Sequence, residues 1–437
     1  MHVRVSTMAD RLRSSLFFVP MAFVVGAIAF AALTIALDAE LLENTADLPL
    51  GIASTVESAR AVLSTVAGAT ITFAGIAFSI SLLLIQQASS QYSPRVVQGL
   101  FRDPFNKRVM GVVVGTFTYC LVVLRSVRAP LESDGSPVIP NISVAFGVVF
   151  GLASILSIVA FISHSAHNMD VSTILQGVSE DARRQIRNVW HEAGDQKAAS
   201  EIEQTAMAGD GLQVMLDRSG WIQHIDFDAL AKAADPGGLV RAEVTVGHYA
   251  IPGTPLCTIV PTPHDEERSI ERARRAIVTG AMRTAQQDVA YGIRQLADVA
   301  LKALSPGIND PTTAQDALFH IGSVLRELLI REPPPRRRAM PEGRVLETGE
   351  DLAHANLVGL AFNEIRLAAR ELPQVSIYLL EVLHLVDESL HGHGAPEAKA
   401  ALRAQASLVC ESADHADLLP HDRDRIQDAY DHRFGEV

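Results

Sequence analysis

The sequence predicts a mainly α fold: a four-helix transmembrane domain, then a cytosolic part with a small β-barrel-like subdomain and a helical bundle. Three observations carry this. Four long stretches free of charged side chains lie within the first 165 residues, and charge crowds into the rest. Residues 219–260 alternate apolar and polar positions between Gly and Pro turns, the period of half-buried strands. Beyond residue 265 the apolar residues recur at helical spacing. The expected domains are 1–165 (transmembrane), 166–210 (helical extension and linker), 211–262 (β) and 263–437 (helical).

The predicted spans are residues 16–37, 61–85, 109–125 and 138–163. The first, Leu16 to Leu37, has about 22 uncharged residues, enough for a hydrocarbon core of roughly 30 Å. The third is shortest, with about 16 uncharged residues between Arg108 and Arg125, whose stems can reach the interface. The first run reads as a retained span, since acidic Asp38, Glu40 and Glu43 follow it where a cleavage site would have small residues. Arg4, Arg11 and Arg13 precede the first span, and the second loop carries Arg95, Arg102, Lys107 and Arg108. The first loop is acidic, with Asp38, Glu40, Glu43, Asp47 and Glu57 against Arg60. The positive-inside rule therefore puts the N-terminus and the C-terminal half in the cytosol.

Small residues mark the spans. Gly111 and Gly115 form one GxxxG pair, Gly147 and Gly151 another. Gly68, Thr72, Gly75 and Ser79 form a single stripe on the second span, at i, i+4, i+7 and i+11. Such a stripe either packs against another helix or lines a pore. With the third run counted from Val109 to Leu124, the four runs contain no Asp, Glu, Lys, Arg or His, so neither a proton relay nor a voltage sensor is expected. Gln86, Gln87, Ser89, Ser90 and Gln91 prolong the second span as a polar helix. Val96 to Lys107 then reads as an interfacial segment anchored by Phe101 and Phe105.

Asp170 to Trp190 reads as a further helix, and 192–210 as a linker. His164, His167 and Asp170 share a face near its start, but too few ligands accompany them for a metal to be expected. Short strands follow at 220–225, 239–246, 249–252 and 256–260. This block resembles half of a lipoyl- or biotinyl-type barrel. Its lysine, Lys232, lies in the connection between strand blocks rather than on a hairpin tip, so no carried cofactor is expected. Val289, Ile293, Leu296, Ala300 and Leu304 form an apolar helical stripe, stopped by Ser305-Pro306-Gly307. Asp310 reads as an N-cap and Pro311 as the first helical residue after it. Residues 332–338 read as a proline-stiffened basic surface linker. Helices are expected at about 352–371, 374–391, 397–414 and 421–434.

Three stretches, "TFAGIAFSISLLLIQQASSQYSPRVV", "VGTFTYCLVVLRSV" and "RTAQQDVAYGIRQLADVALKALSPGINDPTTA", together resemble the bacterial membrane-protein family designated domain of unknown function 2254. The resemblance covers roughly residues 10–430. It implies a multi-pass protein of the bacterial inner membrane and no particular activity. Its signature residues gather polar groups around one helix–turn–helix: Arg283, Asp288, Arg294, Asp298, Asn309, Asp310, Thr312 and Thr313. Arg283, Gln287, Arg294 and Asp298 fall on one face at helical spacing. That face is either a solvated salt-bridge network or a subunit interface or anion pocket built on paired arginines.

A net charge of −13 argues against a nucleic-acid partner. Three scattered cysteines suggest neither a disulfide framework nor a metal site. No phosphate-binding loop, dinucleotide fingerprint, nucleophile elbow or zinc-protease motif occurs, so no enzyme is expected. Two functions remain. One is a homo-oligomeric channel with a cytosolic vestibule. The other is a non-conducting membrane scaffold or sensor that binds a protein or small anion through its helical domain.

Overall fold

The computed structural model describes residues 18–42, 55–91, 104–128, 139–167, 170–192, 211–348, 354–391 and 396–435. They form two compact units, which meet in sequence at Asp170/Val171.

The first unit holds four helices: α1 (Phe18–Leu42), α2 (Val56–Gln91), α3 (Pro104–Ser126) and α4 (Asn141–His167). Each contains a candidate membrane span, at Phe18–Glu40, Val56–Leu83, Pro104–Ser126 and Asn141–Ser165. The helices overrun the charge-free runs at most ends. As a result Asp38, Glu40, Glu57, Arg60, Lys107, Arg108 and Arg125, which read as loop or boundary charges, lie inside the spans. Both GxxxG pairs are spent on packing within the chain. A Cβ on Gly111 would lie 2.6 Å from Phe23 Cδ2, and one on Gly147 2.9 Å from Leu63 Cδ2. At Gly151 it would lie 3.1 Å from Val66 Cγ1. Helices in lipid have no hydrophobic drive to associate, so backbone approach of this kind supplies the attraction. Phe105 is half-buried within the unit. It lies in the first turn of α3, with its ring centroid 4.4 Å from that of His164 at a tilt of 50°, and packs beside buried Val109, Val113 and Phe161. Phe101 lies outside the described residues.

The second unit begins with α5 (Val171–Val189) and β1 (His191–Glu192). Strands β2 (Leu212–Met215), β3 (Gly220–Ile225), β4 (Leu239–Ala242), β5 (Tyr249–Ala250) and β6 (Pro255–Val260) follow, with the short α6 (Phe227–Ala231) after β3. Next come α7 (Glu266–Ala276), β7 (Ile277–Gly280), α8 (Val289–Ala303), α9 (Pro311–Leu329) and β8 (Arg331–Glu332). The chain then adds β9 (Arg337–Ala339) and β10 (Val345–Thr348). It finishes with α10 (His354–Ala369), α11 (Pro373–Ser389), α12 (Pro396–Asp414) and α13 (Pro420–Phe434).

The strands do not close into a barrel. They split into a five-stranded sheet, β2-β6-β4-β10-β9, a three-stranded sheet, β5-β3-β7, and the pair β1-β8. Closure needs strands long enough to tilt and stagger around an axis, and these run 2 to 6 residues. The two larger sheets instead share one apolar core, with Ile222, Ile225 and Ile277 from one, Val240, Leu256 and Leu346 from the other. β7, β9 and β10 come from beyond residue 262, so the sheets draw on chain that reads as helical or linker. Arg338, in the expected surface linker, lies over the Phe227 ring at 4.5 Å.

Helix α9 forms the centre of the helical part. Ala317, Leu318, Ile321, Val324, Leu325, Leu328 and Leu329 on it are fully buried. Neighbouring helices approach at small residues: a Cβ on Gly322 would meet Val382 at 2.8 Å, and one on Gly292 of α8 would meet Ala182 of α5 at 2.4 Å.

Candidate functional site

The Arg283–Asp288 pair sits where the three-stranded sheet hands over to α8. Segment 282–287 is tied to β3 by side-chain amides. Gln223 Nε2 donates to Met282 O at 2.6 Å, and Gln287 brackets Ile225, accepting from its N–H at 3.0 Å and donating to its O at 3.2 Å. Gln287 takes a φ of 61°, which turns the chain into the helix. Asp288 then caps α8, accepting from Tyr291 N at 3.0 Å. The same carboxylate takes both arms of Arg283, Nε at 2.6 Å and a terminal nitrogen at 3.0 Å. The guanidinium also lies over the rings of Tyr291 (5.2 Å) and Trp221 (6.0 Å). Gly247, at φ +90°, closes the site, since a Cβ there would stand 2.2 Å from Asp288 Oδ2.

Arg294 belongs to a second cluster. Its Nε donates to Asp298 at 2.8 Å, one turn along α8, and its terminal nitrogens straddle the Glu364 carboxylate of α10. Glu364, and Asp298 after it, hold the Arg294 proton above its ordinary range. At the next turn Asn309 adopts φ 50°. Asp310 caps α9, accepting from Thr313 N at 3.1 Å and from Thr313 Oγ1 at 2.7 Å. Those bonds pull the Asp310 carboxyl below its usual range. Thr312 is exposed in the first turn of α9.

The eight signature residues therefore form three local constellations. The single face expected for Arg283, Gln287, Arg294 and Asp298 does not exist, because α8 begins only at Val289 and Gln287 sits in a left-handed turn before it. Each arginine is met by carboxylates within the chain, so its charge is neutralised in place.

The stripe on α2 is arranged the other way. Ala59, Leu63, Ala67, Thr70, Ala74 and Ala77 form its buried face. At 100° per residue Gly68, Thr72, Gly75 and Ser79 lie opposite that face. All four are exposed, and a Cβ on Gly68 or Gly75 would meet nothing within 4 Å. Thr72 and Ser79 donate their hydroxyls to Gly68 O and Gly75 O, leaving oxygen lone pairs outward.

The family model for a predicted membrane protein (DUF2254) matches residues 13–384. The chain belongs to that family. Two uncharacterized proteins, one from Mycobacterium tuberculosis and one from Mycobacterium bovis, are each 30% identical to it over 360 residues. Each alignment spans 81% of this chain and 68% of the relative. No solved structure matches. The matched region of this DUF2254 chain takes in all four candidate spans, both larger sheets and helices α5 to α10.

Two features escaped the sequence reading. The first is a buried polar network in the membrane unit. Asp38 on α1 accepts from Ile142 N (2.9 Å), Ser143 N (2.9 Å) and Ser143 Oγ (2.7 Å), so it caps α4 from another helix. Beside it Tyr119 donates to Ser143 O at 3.0 Å and shares a hydrogen bond with Thr34 Oγ1 at 3.1 Å. Thr34 is the one hydroxyl residue of the first run, but Tyr119 and Ser143 share their runs with Thr116, Thr118 and Ser154, so nothing local sets the network apart. The second is a polar cleft of about 340 Å³ between α5 and α9, lined by Arg183 and His320 among others. Its signal was the polar stripe Gln176, Ser179, Glu180 and Arg183 at helical spacing on α5.

Proposed function

We propose that the protein is a non-enzymatic, homo-oligomeric channel of the bacterial inner membrane, with its N-terminus and second unit on the cytosolic side. One observation carries the reading: the small-residue stripe of α2 is open, while Gly111, Gly147 and Gly151 are filled by side chains of their own chain. The core of the four-helix unit is packed with Leu63, Tyr119, Cys120 and Val123, so a water path fits between copies rather than through one. Exposed apolar residues flank the stripe, Ile71, Phe78 and Leu82 on one side, Ile76 and Leu83 on the other. Neighbouring copies would seal along these flanks and leave Gly68, Thr72, Gly75 and Ser79 at the shared axis. Outward lone pairs of Thr72 and Ser79 favour cations over anions. Orientation rests on the Lys/Arg bias of the loops.

The test is single-channel recording from purified protein in planar bilayers. Unit conductance steps are expected, reduced or abolished by Gly75→Leu in a protein that still assembles. An intact oligomer that stays silent would sink the channel reading, as would a monomer in native lipid. The cleft between α5 and α9 favours a second reading, a ligand-sensing membrane anchor, which silent bilayers would leave standing.

A further inference from the structure

We propose that the cleft between α5 and α9 is a binding site for a phosphate monoester, held by Arg183 and His320. The proposal deepens the sensor reading and does not depend on conduction by α2.

The two walls are single helical faces. Gln176, Ser179, Glu180 and Arg183 recur at i, i+3, i+4 and i+7 on α5, and Phe319, His320 and Ser323 at i, i+1 and i+4 on α9. The cation among them stands apart from the other arginines of α5. Arg184 pairs with Asp181 at 3.1 Å and Arg187 with Glu327 at 3.3 Å. Arg183 has no carboxylate within ion-pair distance among the described residues, and its Nε is sealed from solvent with no hydrogen-bond partner. Burying a guanidinium nitrogen without an acceptor costs free energy, which a bound oxyanion would recover. The carboxylate nearest in sequence on this face, Glu180, is already engaged by Gln176 Nε2 at 2.9 Å.

His320 adds a second donor. Burial pushes its pKa down and Arg183 adds to that, while Asp316 one turn earlier pulls it up. Ser179, buried, and Ser323, exposed, supply hydroxyls. The lining thus offers one fixed cation, an imidazole, two hydroxyls and the Gln176 amide, set against the single Glu180 carboxylate, with the Phe319 ring as an apolar wall. That set matches the oxygens of a phosphate monoester, which favours Arg with added neutral donors. A volume of about 340 Å³ suits a small phosphorylated molecule. Such a phosphate could be free in solution or the head of a phosphatidic acid, since α5 starts four residues after α4 ends.

The experiment uses the full chain. Thermal unfolding in detergent is followed against added inorganic phosphate and glycerol 3-phosphate, with chloride at equal ionic strength as control. A saturable rise in Tm is expected with glycerol 3-phosphate, weakened about tenfold in apparent affinity by Arg183→Gln. Arg184→Gln, one residue along and already paired, should leave it unchanged. In a parallel arm, nanodiscs with and without phosphatidic acid replace detergent. Protection there that free glycerol 3-phosphate cannot mimic identifies the lipid as the source. Because Arg183→Gln can perturb folding, Ser323→Ile offers a second block at an exposed position and should weaken binding to a similar degree. Equal losses in Arg183→Gln and Arg184→Gln, or no protection by any of the three phosphates up to about 10 mM, would overturn the site.

Discussion

Each unit buries an aspartate at the start of a helix, and the two solve the problem differently. Asp288 caps its own helix, α8, and is matched by a guanidinium that takes both oxygens. Asp38 caps α4 from a separate helix, and its three donors are neutral: two backbone amides and a hydroxyl. In water-facing protein an ion pair lets the charge be half-buried beside its partner. In lipid the same guanidinium would have to be desolvated as well, and a helix N-terminus supplies donors and a favourable dipole without a second ion. Both carboxylates are thus fully engaged, one by an ion and the other by neutral donors.

The largest expected effect tests the ionic solution. Asp288→Ala leaves Arg283 mostly buried without its carboxylate and uncaps α8, a loss of about 3–5 kcal/mol. Denaturant unfolding read through Trp221, which lies beside Arg283 and is one of two tryptophans, should report it. Asp288→Asn should cost nearly as much, because an amide cannot accept both arms of the guanidinium. A near-neutral Asp288→Asn would mean that the cap, and not the pair, matters here.

Asp38 should behave otherwise. Asp38→Ala strands three donors at the head of α4, for about 3 kcal/mol. Asp38→Asn keeps one oxygen for them and should cost about 1 kcal/mol. Thermal melts of the detergent-solubilised protein would separate the two. If the asparagine is as damaging as the alanine, the contrast between the two aspartates collapses.

A smaller contrast lies within the membrane unit. Gly147→Leu drives a side chain into Leu63 and should cost about 1–3 kcal/mol by overpacking. Gly75→Leu meets open space and should leave the protomer within about 0.5 kcal/mol and the oligomer still captured by crosslinking in membranes. A destabilised Gly75→Leu protomer would place that face inside the fold after all.

What could be read from sequence follows the range of the interactions. The four spans and the helices α10 to α13 emerge within a few residues of their observed limits, because apolar period, caps and prolines are local. Asp310 as N-cap with Pro311 behind it is of the same kind. Sheet order was out of reach: β10 pairs with β4 across more than 100 residues, and nothing in VLET announces that partner. Asp38 was miscounted for a related reason. Counted as a loop charge it fits the acidic first loop, and only the approach of Ser143, 105 residues away, draws it into the fold. The signature cluster misled through helical spacing. Arg283 and Gln287 keep that spacing with Arg294 although the helix starts after both.

The smallest effect concerns pH and lies in the second unit. Burial holds His354 below its ordinary pKa, and its ring lies 5.9 Å from Trp190 with Nε2 lacking a hydrogen-bond partner. His224 and His320 of the same unit are shifted the same way by burial. A histidine with a lowered folded pKa binds its proton more readily once unfolded. The unfolded state therefore gains as pH drops below the unfolded value of about 6.5, and stability declines from there. His354→Phe keeps an aromatic ring against Trp190 and removes that protonation site. Its stability, measured by denaturant at steps from pH 7 to pH 5, should fall less steeply than that of the native chain. An unchanged slope would mean that the His354 ring titrates alike in both states, and that its burial beside Trp190 carries no electrostatic cost.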